Sequence, residues 1–520
     1  MIDNLIRRFH GVHRGTIVSI LVVGYLFGAG VTWAAITPLG GVPDEPGHIA
    51  YAAAVVRGDL GTPGRVSNPN FSHLAIVTVP EWIASINTCY AFQPDVTADC
   101  APPIGTSEML IALPTGATRY PPLYYWIVGL PTFIIPGAPA VYTMRAISAV
   151  LAAGLVGIGL VVASPSRRAW LALAALIAFT PMVGHIAGSV NPSGMEISAA
   201  LGLAIALVGK VCAERRVRST VLTSGLVVVL AWARPISVMT LAAVVLVGIL
   251  ANGANLRRWV RDRAVRNAMM VVTSVTVLSA LAYEVLVRDP VERIITVGAA
   301  GGPANQAVGL IENLRSVERL FVSWGFDLVG RFGWLDHNPP SVVQLGWLVL
   351  AATLLVFALA IGTRKGRLAV GVTTVGALVV APLFVLEFVA GSAKGYQARY
   401  HLPVVMLLTI VAASVIAESR SDDNRRSGWS ILRWGSLLTA TGMLISIAGS
   451  MHRYAVGGVA GVADLLTFRF LSDAIWLPGE AVAVLAVGTA VLVTSAVLVF
   501  VATRVEIGES RPNETESGSD

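Results

Sequence analysis

Residues 15–56 read GTIVSILVVGYLFGAGVTWAAITPLGGVPDEPGHIAYAAAVV. An uncharged apolar run fills 16–36, and at about 1.5 Å per helical residue it spans roughly 30 Å of hydrocarbon. It is too long for the apolar core of a signal peptide, and no small-residue cleavage site follows. It reads as a retained anchor. Directly after it, Asp44 and Glu45 stand between Pro43 and Pro46, where a membrane segment meets water.

Working outward, similar apolar windows recur along all 520 residues, of which 55% are hydrophobic and 13% charged. The mean hydropathy is +0.73. This composition excludes an ordinary soluble domain and predicts an all-α polytopic membrane protein. Twelve spans are expected, at roughly 15–37, 139–163, 169–187, 194–211, 218–233, 236–251, 267–287, 342–362, 368–390, 401–417, 431–451 and 479–503. The fifth and sixth flank Arg234-Pro235 and read as a broken pair.

Lys and Arg cluster in one set of short connections: RRFHGVHR, SPSRR, KVCAERRVR, NLRRWVRDRAVR, TRKGR and ESRSDDNRR. That set is expected in the cytoplasm, with both termini. The net charge of +7 is this topology signal. No basic stripe interleaved with aromatics points to nucleic acid. The expected organisation is a cytoplasmic N-terminus (1–14), a transmembrane module (15–417), C-terminal helices (418–503) and a disordered cytoplasmic tail (504–520). Large extracytoplasmic segments are expected at 38–138, 288–341 and 452–478. The working side is therefore the outer one, and the first outer loop is expected to carry interfacial helices.

In that loop, Ile49, Ala52, Ala53 and Val56 repeat at helical spacing, Pro46 suits a first turn and Gly58 a C-cap. Asp44 and His48 fall on one face of this helix. Capping accounts for one of the two acids, not both. Cys89 and Cys100 lie on the oxidising side and are expected to bridge, contributing at most about 3 kcal/mol. Further on, RYPPLYYW (119–126) opens an aromatic segment interrupted by Pro131 and Pro136, an interfacial or re-entrant helix. Tyr120, Tyr124, Tyr125 and Trp126 fit an interfacial aromatic belt.

Arg145, Glu196, Arg234 and Arg399 all fall at outer ends of spans. With Arg119 and with Arg331 in GRFGWLDHNPP, the arginines among them are expected to converge on one outer-leaflet pocket. Carboxylates beside arginines suit a site that deprotonates a hydroxyl next to a lipid phosphate.

PDEPGHIAYAAAVVRGDL, RYPPLYYWIVGLP and MRAISAV resemble the GT-C superfamily of membrane glycosyltransferases, of the protein O-mannosyltransferase and aminoarabinose transferase type. SVNPSGMEISAALGL, WARPIS, FGWLDHNPP and GYQARYHLPVV look like the bacterial family labelled domain of unknown function 2142, over about 40–415. The resemblance implies Asp44 as catalytic base, Glu45 as its helper, and Arg119, Arg145 and Arg399 at phosphate-side positions. Pro46-Gly47 and the placing of Arg119 two residues before Pro121 depart from the mannosyltransferase pattern. The substrate-contacting set is expected to include His48, Arg119, Tyr124, Arg145, Asn191, Arg234, Arg331, Asp336, Arg399 and Tyr400.

The expected reaction is inverting transfer of a sugar from a polyprenyl-phosphate carrier to a cell-envelope glycan, lipid or protein, at the outer face of the plasma membrane. The partners are thus the lipid-linked sugar, the acceptor and the bilayer, with no nucleic acid. No CxxC or His cluster has zinc spacing; a divalent cation, if used, falls to Asp44 and Glu45. Two other classes remain open: a transporter or flippase of lipid-linked glycans, for which Glu284 and Glu387 speak, and a non-catalytic envelope-assembly protein.

Overall fold

A computed structural model describes residues 14–63, 74–209, 216–283, 310–386, 396–473 and 479–505. In chain order the helices are α1 (Arg14–Ile36), α2 (Glu45–Val56), α3 (Leu123–Val128), α4 (Ala138–Val162), α5 (Pro165–Ala178), α6 (Pro181–Ala187), α7 (Pro192–Val208), α8 (Arg216–Ala231), α9 (Ser237–Trp259), α10 (Arg263–Tyr283) and α11 (Leu310–Val329). They continue with α12 (Ser341–Ile361), α13 (Arg364–Val385), α14 (Leu402–Ala417), α15 (Asp422–Ala455) and α16 (Gly479–Val505).

Among the described residues eight helices are long and apolar enough to cross a membrane, or nine if α5 and α6 count as one. The protein is thus a multi-pass membrane protein. Twelve spans were expected, and three of these segments, in α7, α8 and α14, are shorter apolar helices. A fourth, 169–187, bends by 85° between α5 and α6. The bend falls at Thr180-Pro181, where proline removes a donor and pushes its predecessor out of the helical region. Thr180 is extended there, and its hydroxyl caps α6. Every residue of α7 is buried, so protein rather than lipid surrounds it.

The all-helical expectation misses one element. Segment 37–137 holds an antiparallel three-stranded sheet, β1 (Thr62–Pro63), β2 (Ala75–Pro80) and β3 (Leu110–Thr115), in the order β1-β2-β3. Ala75 pairs with Thr115 and Pro80 with Leu110. The alternation in AIVTV, with Ala75, Val77 and Val79 buried, is the strand signal. Cys89 and Cys100 form a disulfide in the same segment.

This segment gathers at one end of the bundle with the 190, 234, 336, 399 and 453 regions. Described members of the expected cytoplasmic set, from the 163–168 and 414–418 stretches, meet at the other end. There Arg167 reaches Glu418 and the Ser414 carbonyl, and Arg168 reaches Thr16 and the Ala163 carbonyl. Glu284, Glu387 and most of the two termini lie outside the described residues.

Candidate active site

Asp44 closes the turn before α2 with φ 66°, a left-handed conformation. For a residue with a Cβ this costs about 1–2 kcal/mol, least for Asp and Asn, and such residues cluster at functional sites. Its side chain makes no capping bond to α2, so the helix-cap role is not the one it plays. The carboxylate is 64% exposed and accepts a bond from Arg399 Nη2 at 3.4 Å.

The turn is held from behind. Five successive carbonyls accept from buried or half-buried side chains of distant elements. Arg145 donates to Thr37 and Pro38, Tyr90 to Leu39, Trp334 to Gly40 and Tyr454 to Gly41. Each donor comes from a different part of the chain except the two from Arg145, so the segment that aims Asp44 is fixed by the whole loop end. The disulfide loop carrying Tyr90 is itself pinned by Arg453, which donates to the carbonyls of Tyr90, Gln93 and Val96.

Glu45 points the other way. Arg145 donates to it twice, from Nε at 2.8 Å and Nη2 at 2.6 Å, with both side chains wholly buried. The Val190 N–H adds a third bond at 3.0 Å. The remaining Arg145 donors go to the carbonyls of Ala34, Thr37 and Pro38. Two expectations are corrected here. Arg145 spends its five N–H groups on protein and has none for a phosphate, and Glu45 reaches no groove in which to assist an acceptor or share a cation with Asp44. The physical reason is the turn from Asp44 into α2, which sends neighbouring side chains about 100° apart.

Arg399 is the opposite of Arg145. It is 4% exposed, yet its Nε and Nη1 have no partner among the described residues. Its guanidinium carbon lies 5.6 Å from the Tyr400 ring centre. Arg234 lies 5.5 Å from the same ring and 5.6 Å from Tyr120, so Tyr400 links two cations. Arg234 pairs with Glu196 at 3.1 Å, and Thr240 donates to the same carboxylate at 2.9 Å. Glu196 thus compensates part of this buried charge, and Arg234 Nε has no partner among the described residues.

Tyr120 also packs against His48, 5.3 Å between ring centres. His48 Nδ1 is 2.7 Å from the Tyr125 hydroxyl. Burial pushes His48 down to about 4 against the opposing pull of Asp44, so it is neutral at neutral pH. Arg331 and Arg399 line one small pocket with Tyr396, Gln397 and Asp327. Arg331 is exposed and tied to Asp327 at 3.3 Å and to the Leu335 carbonyl. Arg119 ends a single 3₁₀ turn, Ala117–Arg119, immediately before Tyr120.

Three other expected site residues serve the framework. Tyr124 is buried against Ser148 at 2.8 Å, and with Tyr125 it leaves the expected aromatic belt to Trp126. Asn191 caps α7 by accepting from the Ser193 N–H. Asp336 accepts from Arg453 and pairs with His337, both at 2.9 Å. Among the described residues no group of three or more His, Cys, Asp or Glu side chains could hold a metal. Sequence reading missed Gln397 and Tyr396 beside Arg399. GYQARYHLPVV held them in plain view, but nothing in a loop sequence says which side chains face inward.

Residues 27–408 match the family described as predicted membrane protein (DUF2142), and the chain belongs to that family. No curated protein matches it in sequence. Two crystal structures of ArnT from Cupriavidus metallidurans are similar in shape at low identity. The one bound to undecaprenyl phosphate has 15% identity and a TM-score of 0.43, over 92% of this chain and 76% of that one. The apo form has 16% identity and a TM-score of 0.39, over 91% and 75%.

Proposed function

We propose that this protein is an inverting glycosyltransferase moving a sugar from a polyprenyl-phosphate carrier to a cell-envelope acceptor, at the outer face of the plasma membrane. One observation carries the reading. Asp44 stands exposed on a strained, clamped turn beside Arg399, a buried cation with two N–H positions unpartnered among the described residues. A base that must reach a substrate has to be exposed, and a cation that must meet an incoming phosphate has to keep donors unspent.

Asp44 takes the proton of the acceptor hydroxyl as its oxygen attacks the anomeric carbon. The bond to the carrier phosphate breaks on the opposite face, inverting configuration. Arg399, with Arg234 behind Tyr400, stabilises the charge that develops on the departing phosphate. His48 and Tyr120 form the wall next to Asp44. Glu45 and Arg145 act only through the backbone, by holding the turn.

The test is complementation. A deletion strain should lose a surface sugar, regain it with the wild-type chain and fail to regain it with Asp44→Asn at equal protein level in the membrane. Full restoration by Asp44→Asn sinks the assignment of the base.

A further inference from the structure

A second cavity lies far from Asp44. It has a volume of about 430 Å³ and is walled by α7, α8, α9 and α10, with Leu207, Val227, Ile249 and Met269 among its apolar lining. It reaches the end of α9 that carries Arg257 and Trp259. Arg234 precedes the other end of α9. That helix has 23 residues, so the two ends are roughly 30 Å apart and no single headgroup touches both.

Three features make this more than an apolar gap. First, α9 is kinked at Asn252, with φ −142°, and the Asn252 amide donates to the Leu207 carbonyl at 3.0 Å. The kink tilts the last turns of α9, and Gly253 then faces space, its nearest neighbour 4.0 Å from where a Cβ would sit. Second, two polar groups on the lining have no partner among the described residues. These are the wholly buried Thr223 hydroxyl and the indole N–H of the buried Trp259. A buried polar group without a partner calls for a physical explanation, and an occupant of the cavity is one. Third, the mouth is basic. Arg257 lines the cavity, and Arg258, Arg261, Arg263 and Arg266 follow it in sequence around Asp262, whose carboxylate accepts from the Ala264 N–H.

We propose that this cavity binds one anionic glycerophospholipid from the membrane leaflet at that end, separately from any carrier lipid at Asp44. One acyl chain fills the apolar space. The phosphate lies between Arg257 and the Trp259 N–H, at the depth where Trp and Arg usually sit. Thr223 lies two turns, about 10 Å, from the first residue of α8, and its hydroxyl is assigned to an ester carbonyl of the lipid. That carbonyl partner favours a glycerophospholipid over a polyprenyl phosphate, which has none.

Native mass spectrometry of the full chain in detergent tests this, with dioleoyl phosphatidylglycerol, dioleoyl phosphatidylcholine and undecaprenyl phosphate added in turn. Wild type should retain phosphatidylglycerol at least tenfold better than phosphatidylcholine. Gly253→Leu, which fills open space, should cut that retention at least fivefold. Arg257→Gln is exposed and safe for folding, and should erase the preference for the anionic headgroup. Thr223→Val should weaken phosphatidylglycerol but not undecaprenyl phosphate. Unchanged phosphatidylglycerol retention in Gly253→Leu and Arg257→Gln overturns the proposal. So does displacement of phosphatidylglycerol by equimolar undecaprenyl phosphate, which would make the cavity part of the carrier site.

Discussion

Asp44 and Glu45 are adjacent acids, each with an arginine partner, and they do opposite things. The Glu45–Arg145 pair has both side chains at zero exposure and two bonds at 2.8 and 2.6 Å. Every donor of that arginine is spent. The Asp44–Arg399 pair is one long contact of 3.4 Å, with the acid in water and the cation short of partners. A closed pair of this kind holds a fold together, because breaking it strands a buried charge. An open pair contributes little to stability and keeps its chemistry for something else. The lesson is that adjacency in sequence, even in a DE motif, does not mean a shared role.

The comparison breaks most sharply at Asp44. Asp44→Asn should lower transfer by roughly 10³-fold, within the range for removal of a general base. Its melting temperature should stay near that of wild type, since an exposed side chain with one weak contact is replaced by one equally tolerant of the left-handed turn. A large loss of stability in Asp44→Asn, measured by thermal unfolding in detergent, would erase the contrast.

Glu45→Ala should act in the reverse sense. It strands the Arg145 guanidinium and is expected to cost about 3–5 kcal/mol. Little folded protein should reach the membrane, and any that does should retain part of its transfer activity per molecule. Normal yield with abolished turnover would return Glu45 to the chemistry.

Arg399→Gln removes the cation but keeps hydrogen-bonding reach. Transfer should fall on the order of 10²-fold, as for loss of one stabilising donor, with thermal stability unchanged or raised. A fall in stability instead would mean that Arg399 is a clamp like Arg145.

The smallest effect is on pH dependence. The folded-state pKa of His48 lies near 4, below its unfolded value, so the unfolded chain binds the proton first. Stability should therefore be lost as pH falls from about 6.5 toward 4, by about 1.4 kcal/mol per unit. His48→Gln should flatten that part of the profile relative to wild type. Identical slopes for the two proteins would place His48 outside the buried wall next to Asp44.

Much was legible in the chain. Hydropathy placed most of the long apolar helices, because every span must be apolar for about 20 residues whatever its neighbours do, but it left Leu310–Val329 inside the expected outer segment 288–341. The α2 helix, its Pro46 start and its Gly58 end followed from local rules; Gly58 indeed takes φ 82°. The pairing of Cys89 with Cys100 followed from compartment. The resemblance carried the family, and it pointed to Asp44 and Arg399. The sheet was less legible, since two of its strands are six residues long and one is two.

What the sequence could not supply was the sorting of charges. Arg145 and Arg399 both read as cations at the outer end of a span. Which one is saturated depends on carbonyls at 34, 37 and 38 and on a carboxylate a hundred residues away. Likewise, the bend at Thr180-Pro181 and the burial of Tyr124 and Tyr125 depend on what packs around them. Membrane insertion is dictated by each segment's own transfer free energy, and the sequence determines it alone. The valence left on a buried arginine is a property of its neighbours, and only the tertiary structure decides it.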